Sequence, residues 1–332
     1  MGYSRELSWS MTRAKTLRDC PRAAWFTYHV QGEPAYAERA STLRHLVTLP
    51  MAAGSAVDYV IARALKAWRD EGRVLKNLPA AGVRLIHRQR ADSIAVAEGI
   101  AGGGRWRPSS TTRLAPLQHD VYGYDLGHRY EASMEERVAG CLATFERSGV
   151  WRRLRRSDSR TWHPLSRLGE CPIPSLTTKG GMKVWTNVDF AMGGRQGAVV
   201  LDWKTGRETP QAVEDARAQL AVYALWACKH FHVLPEKVKV QAVWLQEEAR
   251  WKPERVGYEE LEIAARRVRE EAAAEAVLVS AQANAEGQVL RYRAQIEDFP
   301  PRASSRGCLP CRFRELCVEG QDSCRHVQGV SN

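Results

Sequence analysis

The chain has 332 residues, 44% of them hydrophobic and 26% charged. That is enough apolar material for a sizeable core, in one large domain or two moderate ones. No apolar run approaches membrane-spanning length, and the 49 Lys and Arg exceed the 38 Asp and Glu by 49 − 38 = 11, which suits an anionic partner.

The first residues (MGYSRELSWS) lack an apolar core, so no secretory leader is expected and the setting reads as cytoplasmic. Residues from about 7 to 75 read as largely helical, with a break near Gly32 to Pro34. Gly99 to Pro116 is rich in Gly, Ser, Thr and Pro and reads as a loop, and Gly127 to Arg156 is again helical. Basic residues gather in and around these stretches. Glu146 to Arg160 holds Arg147, Arg152, Arg153, Arg155, Arg156 and Arg160 with Trp151 among them, while Arg84 to Arg90 and Arg105-Trp106-Arg107 add more. Arginines neutralise phosphates, and an exposed tryptophan can stack on an unpaired base. A solvated helix face with Trp151 buried fits the same pattern.

Val184 to Met192 and Ala198 to Trp203 are rich in branched and aromatic residues, and Gly193 to Gly197 between them is turn-forming. This predicts a β-hairpin. Asp202 and Lys204 are two apart and so share a face. Asp189, near the middle of the expected partner strand, can present its carboxylate beside them. Mg²⁺ and Mn²⁺ prefer such hard oxygen ligands. A bound cation can lower the pKa of water and polarise a scissile phosphate, and a nearby lysine can neutralise developing charge. A surface hairpin with an ordinary Asp–Lys pair has the same tripeptide.

Thr209-Pro210 predicts a helix start, a capping hydroxyl followed by proline at the first position. In the helix that follows, Gln219 and Tyr223 are four apart and share a face. Lys237 to Gln246 reads as a strand, and Tyr258 to Ala285 as one long helix with Leu261, Ala264, Val268 and Ala272 along its packing face.

Eight cysteines stand at 20, 141, 171, 228, 308, 311, 317 and 324. Cys308, Cys311 and Cys317 bring three thiolates within ten residues, and either zinc or an iron–sulfur cluster requires a fourth ligand. Cys324 is favoured by loop-closure entropy, and Cys20 is the distant candidate. Cys141, Cys171 and Cys228 read as scattered free thiols, Cys228 packed in an apolar helix.

VDF, LDWKTG and QLAVYA resemble the RecB-type branch of the PD-(D/E)XK nuclease superfamily. The resemblance implies that Asp189 and Asp202 bind Mg²⁺ or Mn²⁺ and that the main-chain carbonyl of Trp203 is a further ligand. It also makes Lys204 catalytic, with Gln219 and Tyr223 completing the site. Glu170, in RLGECPIPSL, occupies the place of an acid that many relatives carry before the hairpin. Where relatives often have G-x-x-x-H upstream, this chain has Gly54 to Asp58. Asp58 is either a replacement ligand or a solvated helix residue.

Cys20 stands in LSWSMTRAKTLRDCPRAAWFTYHV, which resembles the N-terminal segment of iron–sulfur RecB-like nucleases. There a Cys-Pro-Arg cysteine joins three C-terminal ones around a [4Fe–4S] cluster, as in the nuclease subunit of AddAB-type helicases and the four-cysteine exonucleases associated with CRISPR adaptation. The implied ligands are Cys20, Cys308, Cys311 and Cys317, with Zn²⁺ as the alternative occupant. The expected fold is an α/β restriction-endonuclease-like core, a mixed sheet flanked by helices, with an N-terminal helical segment and a C-terminal cysteine-rich tail. A single nuclease domain over 1–332 would comprise a helical, basic, DNA-contacting part (1–160), a catalytic core (161–250), a packing helix (251–300) and a tail closing onto Cys20 (301–332). The expected activity is metal-dependent hydrolysis of DNA, exonucleolytic on single strands or DNA ends. The alternative is a weak or inactive DNA-binding or assembly subunit of a DNA-processing or CRISPR adaptation complex. DNA and a protein partner in such a complex are the expected partners, with no membrane.

Overall fold

The computed structural model describes residues 2–4, 6–108, 114–285 and 287–328. The chain divides into two compact units, one of Leu49–Arg88 and Leu126–Arg267, the other of Met1–Thr48, Gln89–Asp125 and Val268–Asn332.

The first unit is organised around the expected hairpin, with one correction. The strand anticipated over Val184 to Met192 is two strands. Lys183–Trp185 pairs with Ser175–Thr177, and Phe190–Gly194 pairs antiparallel with Gly197–Lys204. The break arises at Thr186, whose backbone N–H and hydroxyl both bond the carbonyl of Pro174, at 2.8 and 3.1 Å. The N–H of Val188 then turns back onto the Thr186 carbonyl. Asp189 therefore lies just before a strand, at its mouth, and not in its middle.

Gly197 closes the hairpin at φ +148°, and a Cβ there would sit 2.6 Å from the carbonyl oxygen of Lys237, so only glycine admits the next strand. That strand, Val238–Trp244, runs parallel to Gly197–Lys204, and Glu254–Arg255 pairs antiparallel on its outer side. Parallel neighbours need a crossover, which the helix Pro210–Phe231 supplies. It starts as expected, with Thr209 Oγ1 accepting from the N–H of Ala212 and proline at the first position, and ends at His232 in the left-handed region. The result is a mixed four-stranded sheet flanked by helices, Leu49–Glu71 packing on His128–Arg147 among them. The helical stretch expected over Gly127 to Arg156 is interrupted at Ser148, whose hydroxyl caps the short helix Gly149–Arg155 by accepting from Trp151 N at 2.9 Å.

The second unit is built on Trp25, Phe26, Leu43, Leu46, Phe299 and Phe313, each at most 2% exposed. The helical N-terminal part breaks at Gly32, as expected, with φ +83°. The long helix expected to Ala285 stops at Ala276, and Ser280–Ala283 is a strand paired with Val289–Ala294. Leu278 and Val279 pack against the core here, which ends the helix despite its Ala- and Glu-rich sequence. The loop expected over Gly99 to Pro116 begins after the helix Leu78–Ala101, and its residues 109–113 lie outside the described residues. Glu275, buried, takes a bidentate bond from Arg13 and a 2.7 Å bond with His29. Among the described residues no helix is long and apolar enough to cross a membrane.

Candidate active site

Hairpin register places the two acids opposite one another. Phe190 pairs with Leu201, so the next rung outward sets Asp189 against Asp202. The contact is direct: Asp189 Oδ2 accepts the backbone N–H of Trp203 at 2.7 Å. Trp203 holds that N–H in place because its ring is buried edge-on against Phe145, with centroids 5.6 Å apart. Lys204 Nζ lies 2.7 Å from Asp202 Oδ2. The ammonium thus sits directly against the buried carboxylate and favours its charged form.

The ammonium has a second partner. Lys204 Nζ donates to Gln219 Oε1 at 2.7 Å, Gln219 Nε2 donates to Tyr223 OH at 2.6 Å, and Tyr223 donates to the carbonyl of Asn187 at 2.8 Å. Lysine can only donate and a carbonyl can only accept, so the two ends of the chain fix its direction. The helix pair predicted from a four-residue spacing thus acts as one relay onto the lysine. Its terminus, Asn187, was not anticipated; it lies two residues before Asp189 on the turn that breaks the strand.

Three aspartates share the charge of this centre. Burial, then the neighbouring Asp202 and Asp58, hold the Asp189 carboxyl well above the usual range, against the Trp203 N–H and Lys204. Burial likewise raises Asp202, opposed by Lys204. Asp58 is pushed up to about 6 by burial, with Arg167 lowering and Asp202 raising it. Arg167 pairs with Asp58 at 3.0 Å and bonds the Ser55 carbonyl at 2.9 Å. Asp58 is therefore electrostatically part of the centre and not a freely solvated helix residue. Tyr223 stays a neutral donor, because burial and then the charges of Asp202 and Asp189 raise its phenol well above the ordinary value.

Glu170 is placed differently. Arg69 and Lys66 bond its carboxylate at 2.7 and 2.8 Å, the Leu165 N–H adds a third bond, and Arg69 above all lowers it to about 2. Its oxygens are committed to this network. Of the arginine run, Arg152, Arg153 and Arg156 are exposed, and Arg155 is half-buried over the rings of Trp151 and Trp68. Trp151 itself is 3% exposed and packs on Phe145, so it has no free face for a base, and the expected stacking role is corrected to a core role.

Cys20, Cys308, Cys311, Cys317 and Cys324 lie in the other unit. The Cys311 thiol is pushed up to about 11, chiefly by burial, with Cys20 and Cys308 near enough to add to the rise. Cys308 also acts on Cys324. Cys317 lies in the same apolar core, raised to about 11 by burial, with its Sγ 3.3 Å from Glu319 Oε2. Cys20 thus lies near Cys311 of the C-terminal motif. Cys141 is buried, and Cys171 and Cys228 are half-buried.

Among the described residues no group of three or more His, Cys, Asp or Glu side chains is arranged to hold a metal ion. The chemistry of the donors still fits a hard divalent cation at the aspartates. Burial raises all three carboxyls there, and the neighbouring acids raise Asp189 and Asp58 further. A cation of charge two would offset this gathered negative charge.

A mixed sheet that carries two acids and a lysine at one strand mouth, backed by a glutamine–tyrosine helix, is an arrangement suited to phosphodiester hydrolysis. A sequence model of the PD-(D/E)XK nuclease superfamily matches residues 8–318, and the chain belongs to that superfamily. Membership implies a nuclease that acts on DNA, and such enzymes typically use Mg²⁺ or Mn²⁺. No curated protein matches the chain.

Proposed function

We propose that this protein is a metal-dependent exodeoxyribonuclease of the RecB-like, iron–sulfur branch, acting on single-stranded DNA or DNA ends. The observation that carries the reading is the relay from Lys204 through Gln219 and Tyr223 to Asn187, set beside Asp189 and Asp202. Asp189 and Asp202 would hold Mg²⁺ or Mn²⁺, with Asp58 and the Trp203 carbonyl as further ligands. A cation bound there supplies polarisation of the scissile phosphate and a lowered pKa for water.

The chain's own residues do the rest. Gln219 accepts one ammonium proton and so keeps Lys204 over the carboxylate pair, where it can neutralise negative charge developing on the phosphate. Tyr223 holds the glutamine amide so that its oxygen, not its nitrogen, faces the lysine. Arg152, Arg153 and Arg156 would meet phosphates farther along the strand. Cys20, Cys308, Cys311 and Cys317 would hold a [4Fe–4S] cluster, with zinc as the alternative, and its role would be structural. A brown protein after anaerobic purification supports the cluster; a colourless one with stoichiometric zinc defeats it.

The test is cleavage of end-labelled single-stranded and duplex DNA with Mn²⁺, by the native protein and by Lys204→Ala. Loss of a preorganised charge of this kind should cost about 100-fold or more in rate. Equal degradation by both proteins would sink the role of Lys204. DNA retention without cleavage under any divalent metal supports the assembly-subunit alternative.

A further inference from the structure

The strand beside the catalytic one carries a tryptophan that the mechanism does not use. In the parallel register Asp202 pairs with Ala242, and Lys204 pairs with Trp244. Register partners project to the same face of a sheet. Ala242 and Trp244 therefore face the side on which Asp202 and Lys204 form the centre. They line a cavity of about 370 Å³, whose other wall is Ala216 and Leu220 of the helix that also carries Gln219. That volume lies in the range of small-ligand sites.

Trp244 is half-buried, and among the described residues its indole has neither a hydrogen-bond partner nor a ring contact. The other tryptophans of this unit whose rings flank the core are engaged: Trp151 and Trp203 on Phe145, Trp162 on Phe190, and Trp226 on His230. The cavity lining carries five glutamates against four Lys and Arg, with Arg217 pairing with Glu260 and Arg250 with Glu248. A lining with no excess of positive charge gives no track for a run of phosphates. It suits a neutral, flat, aromatic group with polar edges.

We infer that this cavity takes an unpaired nucleobase of the DNA strand being cut, stacked on Trp244, one strand over from the scissile phosphate. The inference rests on the nuclease reading above. A duplex keeps its bases stacked and paired, so a site that must receive one base favours single strands and frayed ends. Base–aromatic stacking is sequence-tolerant, because every base has a π-face.

The experiment measures affinity in EDTA, so that no strand is cut, for a single-stranded oligonucleotide, a blunt duplex, and the same single strand with abasic sites. Trp244→Ala should weaken binding of the intact single strand about tenfold, leaving the duplex and abasic strands within twofold. Trp244→Phe should recover most of the loss, and both variants should melt with the native protein. Equal losses on all three ligands, or no loss on the intact strand, would overturn the base site. Failure of the nuclease reading shows separately, as no cleavage of any strand by the native protein under any divalent metal. A selective Trp244 effect in that event would still identify a base-binding cavity.

Discussion

Replacing Asp58 with asparagine should stabilise the metal-free protein at neutral pH. Burial raises this carboxyl from 3.8 to about 6. Because the folded-state pKa lies above the unfolded one, the folded protein binds the proton more tightly. The contribution is then fully favourable below about pH 4, falls as pH rises from about 4 to about 6, and stays low above that. A difference of about two units corresponds to about 3 kcal/mol. That figure is an upper bound, since the Asp58 side chain is 21% exposed and the facing Arg167 is 40% exposed. Asparagine keeps the shape and removes the charge. Urea unfolding in EDTA from pH 4 to 8 should give coincident midpoints near pH 4 and a higher midpoint for Asp58→Asn at pH 7. Titration with Mn²⁺ should then stabilise the native protein more than the variant, because the cation offsets a charge the variant lacks. If Asp58→Asn is the less stable protein at pH 7 in EDTA, the Arg167 pair outweighs burial and the argument fails.

Trp151→Ala should lower stability by about 3 to 5 kcal/mol through a core cavity, read by urea unfolding. Its DNA affinity per folded molecule should stay within twofold of native, whereas a base-stacking role would move affinity first. Thr209→Ala removes the hydroxyl that accepts from Ala212 and should cost about 1 kcal/mol. Thr209→Ser, which keeps the cap, should restore most of it in the same unfolding measurement.

What could be read from the sequence was set by short spacings. Asp202 and Lys204 share a strand face, Gln219 and Tyr223 share a helix face, and Thr209-Pro210 starts that helix; each relation is local, so periodicity exposes it. The mixed sheet followed, since a hairpin, a helix and a further strand permit few arrangements. The features that escaped depend on partners distant in sequence. Thr186 breaks the anticipated strand by bonding Pro174 across 12 positions, and Glu170 is taken up by Lys66, 104 positions earlier. Leu278 and Val279 end a helix that composition alone would have prolonged, because the core receives them.

Asp58 shows why such a partner matters to function. Asp58 adds a third carboxylate to a centre where burial and the charge of Asp202 already raise Asp189. A neutral imidazole ligand would add none. The guanidinium of Arg167, 3.0 Å from Asp58, partly compensates and also ties the Ser55 carbonyl of the same helix. The charge of Asp58 is therefore coupled to an arginine distant in sequence. That counter-charge offsets only part of the cost of burying the carboxylate, which is why metal-free stability at neutral pH should rise when Asp58 becomes asparagine.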